Sequence, residues 1–213
     1  MNQITFGEKQ SYNDWGVILS SWSLTGAAAK TEYIDVPAAD GTLDLTEVLA
    51  GEPRYNDRTL TCKFTFPPPR TEWERIRQAI ANYCNGQRMK IWVPDCPDYY
   101  LVGRVSVDTL TRNRGYALLN VTAACEPWLY KNDPTEVILD VAESYSGVLV
   151  NDRRRVIPEI TTDAAISVRM NDLTKELSAG TFVFADFALK EGENPIEITG
   201  SANVVITYQE GVL

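Results

Sequence analysis

No histidine occurs anywhere in the 213 residues. Its absence removes the side chain that most often moves protons near neutrality, and with it serine–histidine triads and histidine metal sites. Cysteine is scarce: Cys62, Cys84, Cys96 and Cys125 make no CxxC pair and no tight spacing. Neither a zinc site nor a small disulfide scaffold is indicated, and reduced, mostly buried thiols are expected. No stretch approaches the ~18 apolar residues of a membrane helix. The opening MNQITFGEKQ has no basic start followed by an apolar run, so a soluble protein made in the cytoplasm without a signal peptide is expected. Positive charge is in deficit, with 20 Lys and Arg against 29 Asp and Glu, a net charge of −9 that argues against a phosphate-gripping surface. No cofactor or metal is expected.

A chain of this length can bury roughly 70% of its unfolded surface and needs no staple to hold a core. Two domains are expected, residues 1–130 and 131–213. The first carries 13 basic and 15 acidic residues, the second 7 and 14, so the surplus acid is mainly C-terminal.

Residues 33–66, YIDVPAADGTLDLTEVLAGEPRYNDRTLTCKFTF, hold six carboxylates: Asp35, Asp40, Asp44, Glu47, Glu52 and Asp57. Asp40-Gly41 is a turn signal, and Gly51, Pro53, Asn56 and Asp57 break any continuous element, so the region reads mostly as loop. After it, Leu60, Cys62, Phe64 and Phe66 alternate with Thr59, Thr61, Lys63 and Thr65, the period of a half-buried strand that Pro67-Pro68-Pro69 stops. TEWERIRQAIANYCNG follows as the clearest helix. Thr71 and Glu74 have the spacing of a capping box, Trp73, Ile76, Ile80 and Tyr83 make one apolar face, and Gly86 supplies the stop. RMKIWVP, YYLVGRVSVDTL and GYALLNVTAACEP read as strands, the last two joined through TRNRG.

EPWLYKNDPT, rich in proline and breakers, marks the domain boundary. Beyond it, ISVRM and LTKEL flank Asn171-Asp172, a two-residue hairpin signal, and TFVFADFAL, PIEITG and NVVITYQ follow as short strands. The spacing predicts a small β-sandwich with Phe182, Phe184 and Phe187 in its core. The fold class is therefore mainly β: an α+β N-terminal domain with one amphipathic helix on a sheet, then the sandwich.

Two acids facing a cleft would make a glycosidase-like hydrolase, but loop carboxylates are expected on turn chemistry alone, and no enzyme is read here. Arg153, Arg154 and Arg155 sit beside Asp152 and lack interleaved aromatics, which suits a solvated edge or an inter-subunit ion pair better than nucleic-acid grip. Trp15, Trp22, Trp73, Trp92 and Trp128 all lie in the first part, within or beside predicted strands or the helix, so core packing is the stronger account for them.

YNDWGVIL, DVPAADGTLDLTE, GEPRYNDRTLTCKFTF, the helix, YYLVGRVSV, CEPWLY and LKEGENPIEITGSANVVITYQEGVL, taken in order, resemble the distal tail proteins of long-tailed bacteriophages. The resemblance implies a structural protein of the virion tail tip, or baseplate hub, assembled in the host cytoplasm. It implies a homo-hexameric ring built by the N-terminal domain, with a galectin-like sandwich projecting outward and a central channel for DNA. The partners it implies are the tail tube protein, the tape measure protein and a tail-associated hub or fibre protein, with no specific nucleic-acid binding. A carbohydrate-binding adhesin using the sandwich is the alternative. Asp40, Gly41, Arg54, Tyr55, Asn56, Asp57 and Arg58 are expected to hold a ring neighbour through charge-assisted hydrogen bonds.

Overall fold

The computed structural model describes residues 3–38, 40–67 and 69–213. Pro68, the middle of the predicted proline stop, lies outside them. Strands take up 52% of the residues and helix 9%, as a mainly β chain requires. Contacts divide the chain into two compact units, residues 1–127 and 128–213.

In the first unit the strands are β1 (Thr5–Phe6), β2 (Lys9–Gln10), β3 (Ile18–Leu24), β4 (Tyr33–Asp35), β5 (Thr42–Asp44), β6 (Arg58–Phe66), β7 (Arg88–Trp92), β8 (Tyr99–Val107), β9 (Thr111–Arg112) and β10 (Ala117–Cys125). One antiparallel sheet runs β2-β1-β7-β8-β10-β6-β3, with β9 on the end of β10. β6 and β10 pair along nine residues, from Ala117 opposite Phe66 to Cys125 opposite Arg58. Because side chains alternate, this register sends Leu60, Cys62, Phe64, Phe66, Leu119 and Val121 to one buried face. Thr59, Lys63, Asn120 and Ala124 stay exposed on the other.

The helix α1 (Trp73–Cys84) packs against β8 through a face on which Trp73, Ile80 and Cys84 are buried. Its start differs from the predicted capping box. A 3-10 turn, Arg70–Glu72, precedes it, Glu72 occupies the cap position in αR conformation, and no side chain caps the helix. Glu74 is instead drawn outward by two cations, Arg77 at 2.7 Å and Arg112 at 2.6 Å. The turn follows directly from Pro69, whose extended backbone leads into it. At the other end Gly86 takes φ +76°, the left-handed stop expected of it.

The second unit contains β11 (Leu129–Lys131), β12 (Thr135–Val141), β13 (Ser144–Asn151), β14 (Glu159–Thr162), β15 (Ile166–Met170), β16 (Leu173–Leu177), β17 (Gly180–Val183), β18 (Gly192–Gly200), β19 (Ala202–Tyr208) and β20 (Gly211–Val212). Sheets β12-β19-β14-β17 and β13-β18-β15-β16 enclose one core that includes Leu149, Ile160, Val168, Phe187, Ile198 and Ile206. β11 pairs with β20, Leu129 opposite Val212, which places Leu129 and Tyr130 in this unit, slightly ahead of the boundary expected after Tyr130. Asn171 and Asp172 both have positive φ, 51° and 60°, the mirror-image turn whose twist suits a two-residue hairpin. TFVFADFAL is not one strand. β17 ends at Val183, and a 3-10 turn over Ala185–Phe187 drops Phe187 into the core, with Phe182 and Phe184 stacked partly buried beside it.

Trp15 and Trp73 are buried, while Trp22, Trp92 and Trp128 are half-buried. Cys62, Cys84 and Cys125 are buried and Cys96 is half-buried. Burial raises the thiols of Cys62 and Cys84 to about 12, and that of Cys125 to about 11.

Three outcomes follow from this packing. A thiol whose folded pKa is raised above its ordinary value stabilises the fold below that value and loses the contribution as pH rises through the folded one. Stability in urea should therefore fall between about pH 9 and 12, while at pH 8 a thiol reagent should label Cys96 first and the other three only on unfolding. Gly103 lies opposite Cys125, and a Cβ there would stand 2.6 Å from its Sγ and 3.1 Å from the Ala124 carbonyl oxygen. Gly103→Val should cost about 1–3 kcal/mol or more in urea denaturation.

Candidate functional site

β3 and β6 do not end where the sheet ends. The Thr25 N–H donates to the Thr59 carbonyl (3.0 Å), Asn56 N–H to Ala28 (2.9 Å) and Lys30 N–H to Arg54 (2.7 Å). Further out β4 pairs with β5, Ile34 opposite Leu43 and Tyr33 opposite Asp44. Past β3 and β6 the chain thus continues as an arm with two short paired segments, residues 28–30 against 54–56 and β4 against β5, while most of the described residues of 33–57 lie outside strands, as the sequence reading expected. The short alternations YID and TLD on either side of Asp40-Gly41 were the available signal for β4 and β5, masked by the breakers around them.

All six residues of β4 and β5 are exposed. So are several large apolar side chains: Tyr33 at 56%, Ile34, Val36, Leu43, Val48 at 68% and Leu49 at 100%. Ile34 and Leu43 share one side of the ribbon, and Tyr33, Asp35, Thr42 and Asp44 share the other. An isolated hairpin is marginal in water, and clustered exposed apolar groups mark contact surfaces. Charge reasoning found the carboxylates of this segment but missed these apolar residues.

The expected contact residues are strung along the arm. Asp40 and Gly41 are exposed at its tip, Gly41 with φ +76°. Arg54, Asn56 and Asp57 are exposed on the stem, where Arg54 pairs with Glu52 at 3.0 Å, and Tyr55 is half-buried. Arg58 is different, being 9% exposed. Its Nε donates to the Thr25 carbonyl (2.7 Å) and its Nη1 to that of Pro127 (3.4 Å), so it braces the arm's root within its own unit.

Asp35, Asp40, Asp44, Glu47 and Asp57 are exposed, and Asp44 is held below the usual carboxylate range by hydrogen bonds from Thr46, the opposite of a proton donor's shift. Among the described residues no group of carboxylates and thiols could hold a metal. No helix among them is long and apolar enough to cross a membrane. In the second unit a hollow of about 290 Å³ is lined by Arg169, Asn171, Asp172, Pro195 and Glu197, with Arg169 3.4 Å from Glu197. The arginine run is engaged inside its unit: Arg153 pairs with Glu191 at 3.6 Å, and Arg154 donates to the Gln209 carbonyl and stacks on Tyr130.

No known family profile matches the sequence, and no curated protein does. The fold has a full-length counterpart among phage adsorption-hub proteins. That structure is the crystal structure of SPP1 Dit (gp 19.1), described as a paradigm of hub adsorption apparatus in phages infecting Gram-positive bacteria; it covers 100% of both chains at TM-score 0.73 and 14% identity. A de novo designed double-stranded β-helix covers 37% of the chain at TM-score 0.27 and 17% identity. The likeness to distal tail proteins suggested by the ordered segments is thus present in the fold along the entire chain.

Arg58→Ala should free both carbonyls and destabilise the first unit by roughly 1–3 kcal/mol. Amide exchange at residues 25–30 and 54–59 should accelerate while the second unit is unaffected. Unchanged exchange along the stem would mean that Arg58 does not hold it.

Proposed function

We propose that the chain is a structural component of a bacteriophage tail tip that closes into a homo-hexameric ring. The ring joins the tail tube and tape measure proteins to a hub or fibre protein and leaves a channel for DNA; assembly takes place in the host cytoplasm. The six-fold count, the channel and these partners are what the resemblance implies.

The observation that carries the reading is the arm. A ribbon with Tyr33, Ile34, Leu43, Val48 and Leu49 in water is a poor feature for a monomer and a good one for a protein that meets its own copies. Its attachment as an extension of β3 and β6 makes it a protruding half-interface, and a protrusion that fits a different surface on the next copy generates rings when the rotation closes. A role without catalysis is supported by the exposure of the arm's carboxylates and by the lowered Asp44.

Light scattering on size-exclusion fractions, with negative-stain micrographs, tests this. Closed annular particles with a mass six times the 23.8 kDa of one chain are expected. A monomer at every concentration, with tail tube and hub proteins also added, overturns the reading. Ile34→Asp with Leu43→Asp should weaken assembly at least tenfold, at about 1.4 kcal/mol per decade, and leave the melting temperature nearly unchanged because both residues are exposed.

A further inference from the structure

The charge of the first unit is divided in a way its near-neutral sum conceals. Residues 27–57 carry seven carboxylates against two cations, Lys30 and Arg54. The remainder of residues 1–127 carries 11 cations against 8 carboxylates. The five main strands of the sheet, β3, β6, β7, β8 and β10, contain no carboxylate at all.

Their exposed face is correspondingly basic. Lys63 on β6, Arg104 on β8, and Arg88 and Lys90 on β7 are exposed there, and Arg88 makes an ion pair with Glu126 just beyond β10. Between these cations the side chains are short and uncharged: Thr59 opposite Ala124, Thr61 opposite Thr122, and Lys63 opposite Asn120. A hollow of about 420 Å³ lies across this surface, lined by Thr59, Asn85, Arg104, Ser106, Thr122 and Ala124. Small side chains let another backbone approach closely, and the hollow can accept a protruding side chain such as Tyr33, which shares its side of the ribbon with Asp35 and Asp44.

We infer that this open sheet face of one copy is the receptor for the acidic arm of the next copy, with Lys63, Arg88, Lys90 and Arg104 facing Asp35, Asp40 and Asp44 of the incoming hairpin. Three features of the molecule select a second copy as the occupant. The arm's charge is opposite to that of the face, Tyr33 on the acidic side of the ribbon can enter the hollow beside Arg104, and arm and face are distinct surfaces, which is the condition for head-to-tail closure. The inference rests on the ring reading and specifies which surface the ring uses.

Two charge-reversed variants test it. One is Lys63→Glu with Arg104→Glu on the face; the other is Asp35→Lys with Asp44→Lys on the arm. All four residues are exposed, and thermal melts within a few degrees of the parent confirm that each variant folds. Each alone should lose at least tenfold in association by sedimentation velocity. An equimolar mixture should recover assembly, because each variant's arm then meets a face of opposite sign. Assembly of the parent should weaken as salt rises. Carbodiimide cross-linking of the parent, mixed from light and heavy isotope, should join Lys63 or Lys90 of one copy to Asp35, Asp40 or Asp44 of another.

The failures are separable. A parent chain that never assembles overturns the ring reading and this inference together. A parent that assembles while both reversals are neutral, or whose cross-links carry the arm elsewhere, overturns only the receptor assignment. So does binding of a short DNA duplex to the face that Lys63→Glu with Arg104→Glu abolishes while assembly is untouched.

Discussion

The nine-residue pairing of β6 with β10 is the constraint on which the rest of the first unit depends. Side-chain direction alternates along a strand, so one register decides at once which residues make the core and which make the outer face. With Phe66 opposite Ala117, the apolar series Leu60, Cys62, Phe64 and Phe66 faces inward and Thr59, Thr61, Lys63 and Thr65 face out. A slip by one residue would bury Lys63 and expose two phenylalanines. The bulge between Leu19 and Ser21 of β3 accommodates the twist without disturbing this register, and it lies at the end of β3 away from the arm.

The arm inherits its position from the same strand pair. Its ladder continues from Thr25 and Thr59 outward, and Arg58 ties the transition from sheet to ribbon by reaching two backbone carbonyls with one planar group. Beyond that root the ribbon has hydrogen bonds but no second layer. β4 and β5 pair with one another and leave all six side chains exposed, so their order is inexpensive to lose. The core and the arm thus stand at opposite ends of local stability while sharing two continuous strands.

Much of this was legible because period and turn chemistry act locally. The alternation of residues 59–66, the apolar face of α1 and the Asn171-Asp172 hairpin each follow from a few adjacent residues, and the structure has them where the pattern puts them. What escaped depends on distant partners. Glu74 has the spacing for a capping box, yet Arg77 and Arg112 hold it, and Arg112 lies 38 residues on. Arg58 looks like one more charged loop residue until the sheet folds and brings Thr25 and Pro127 within reach. The arm was hidden for another reason: with three-residue strands and several breakers, its pairing is set by the long β3–β6 ladder that feeds it, not by its own sequence.

Segregated charge also bears on which assemblies are open to such a chain. If two copies approached arm to arm, carboxylates would meet carboxylates; face to face, cations would meet cations. Both isologous arrangements are penalised by repulsion, whereas arm to face is attractive, so this pattern of charge favours a head-to-tail contact over a two-fold dimer. Uniformly distributed charge with the same small net value would impose no such preference. The near-neutral sum of the first unit is thus the result of two opposed surfaces, and their separation along β3 and β6 gives a head-to-tail assembly its polarity.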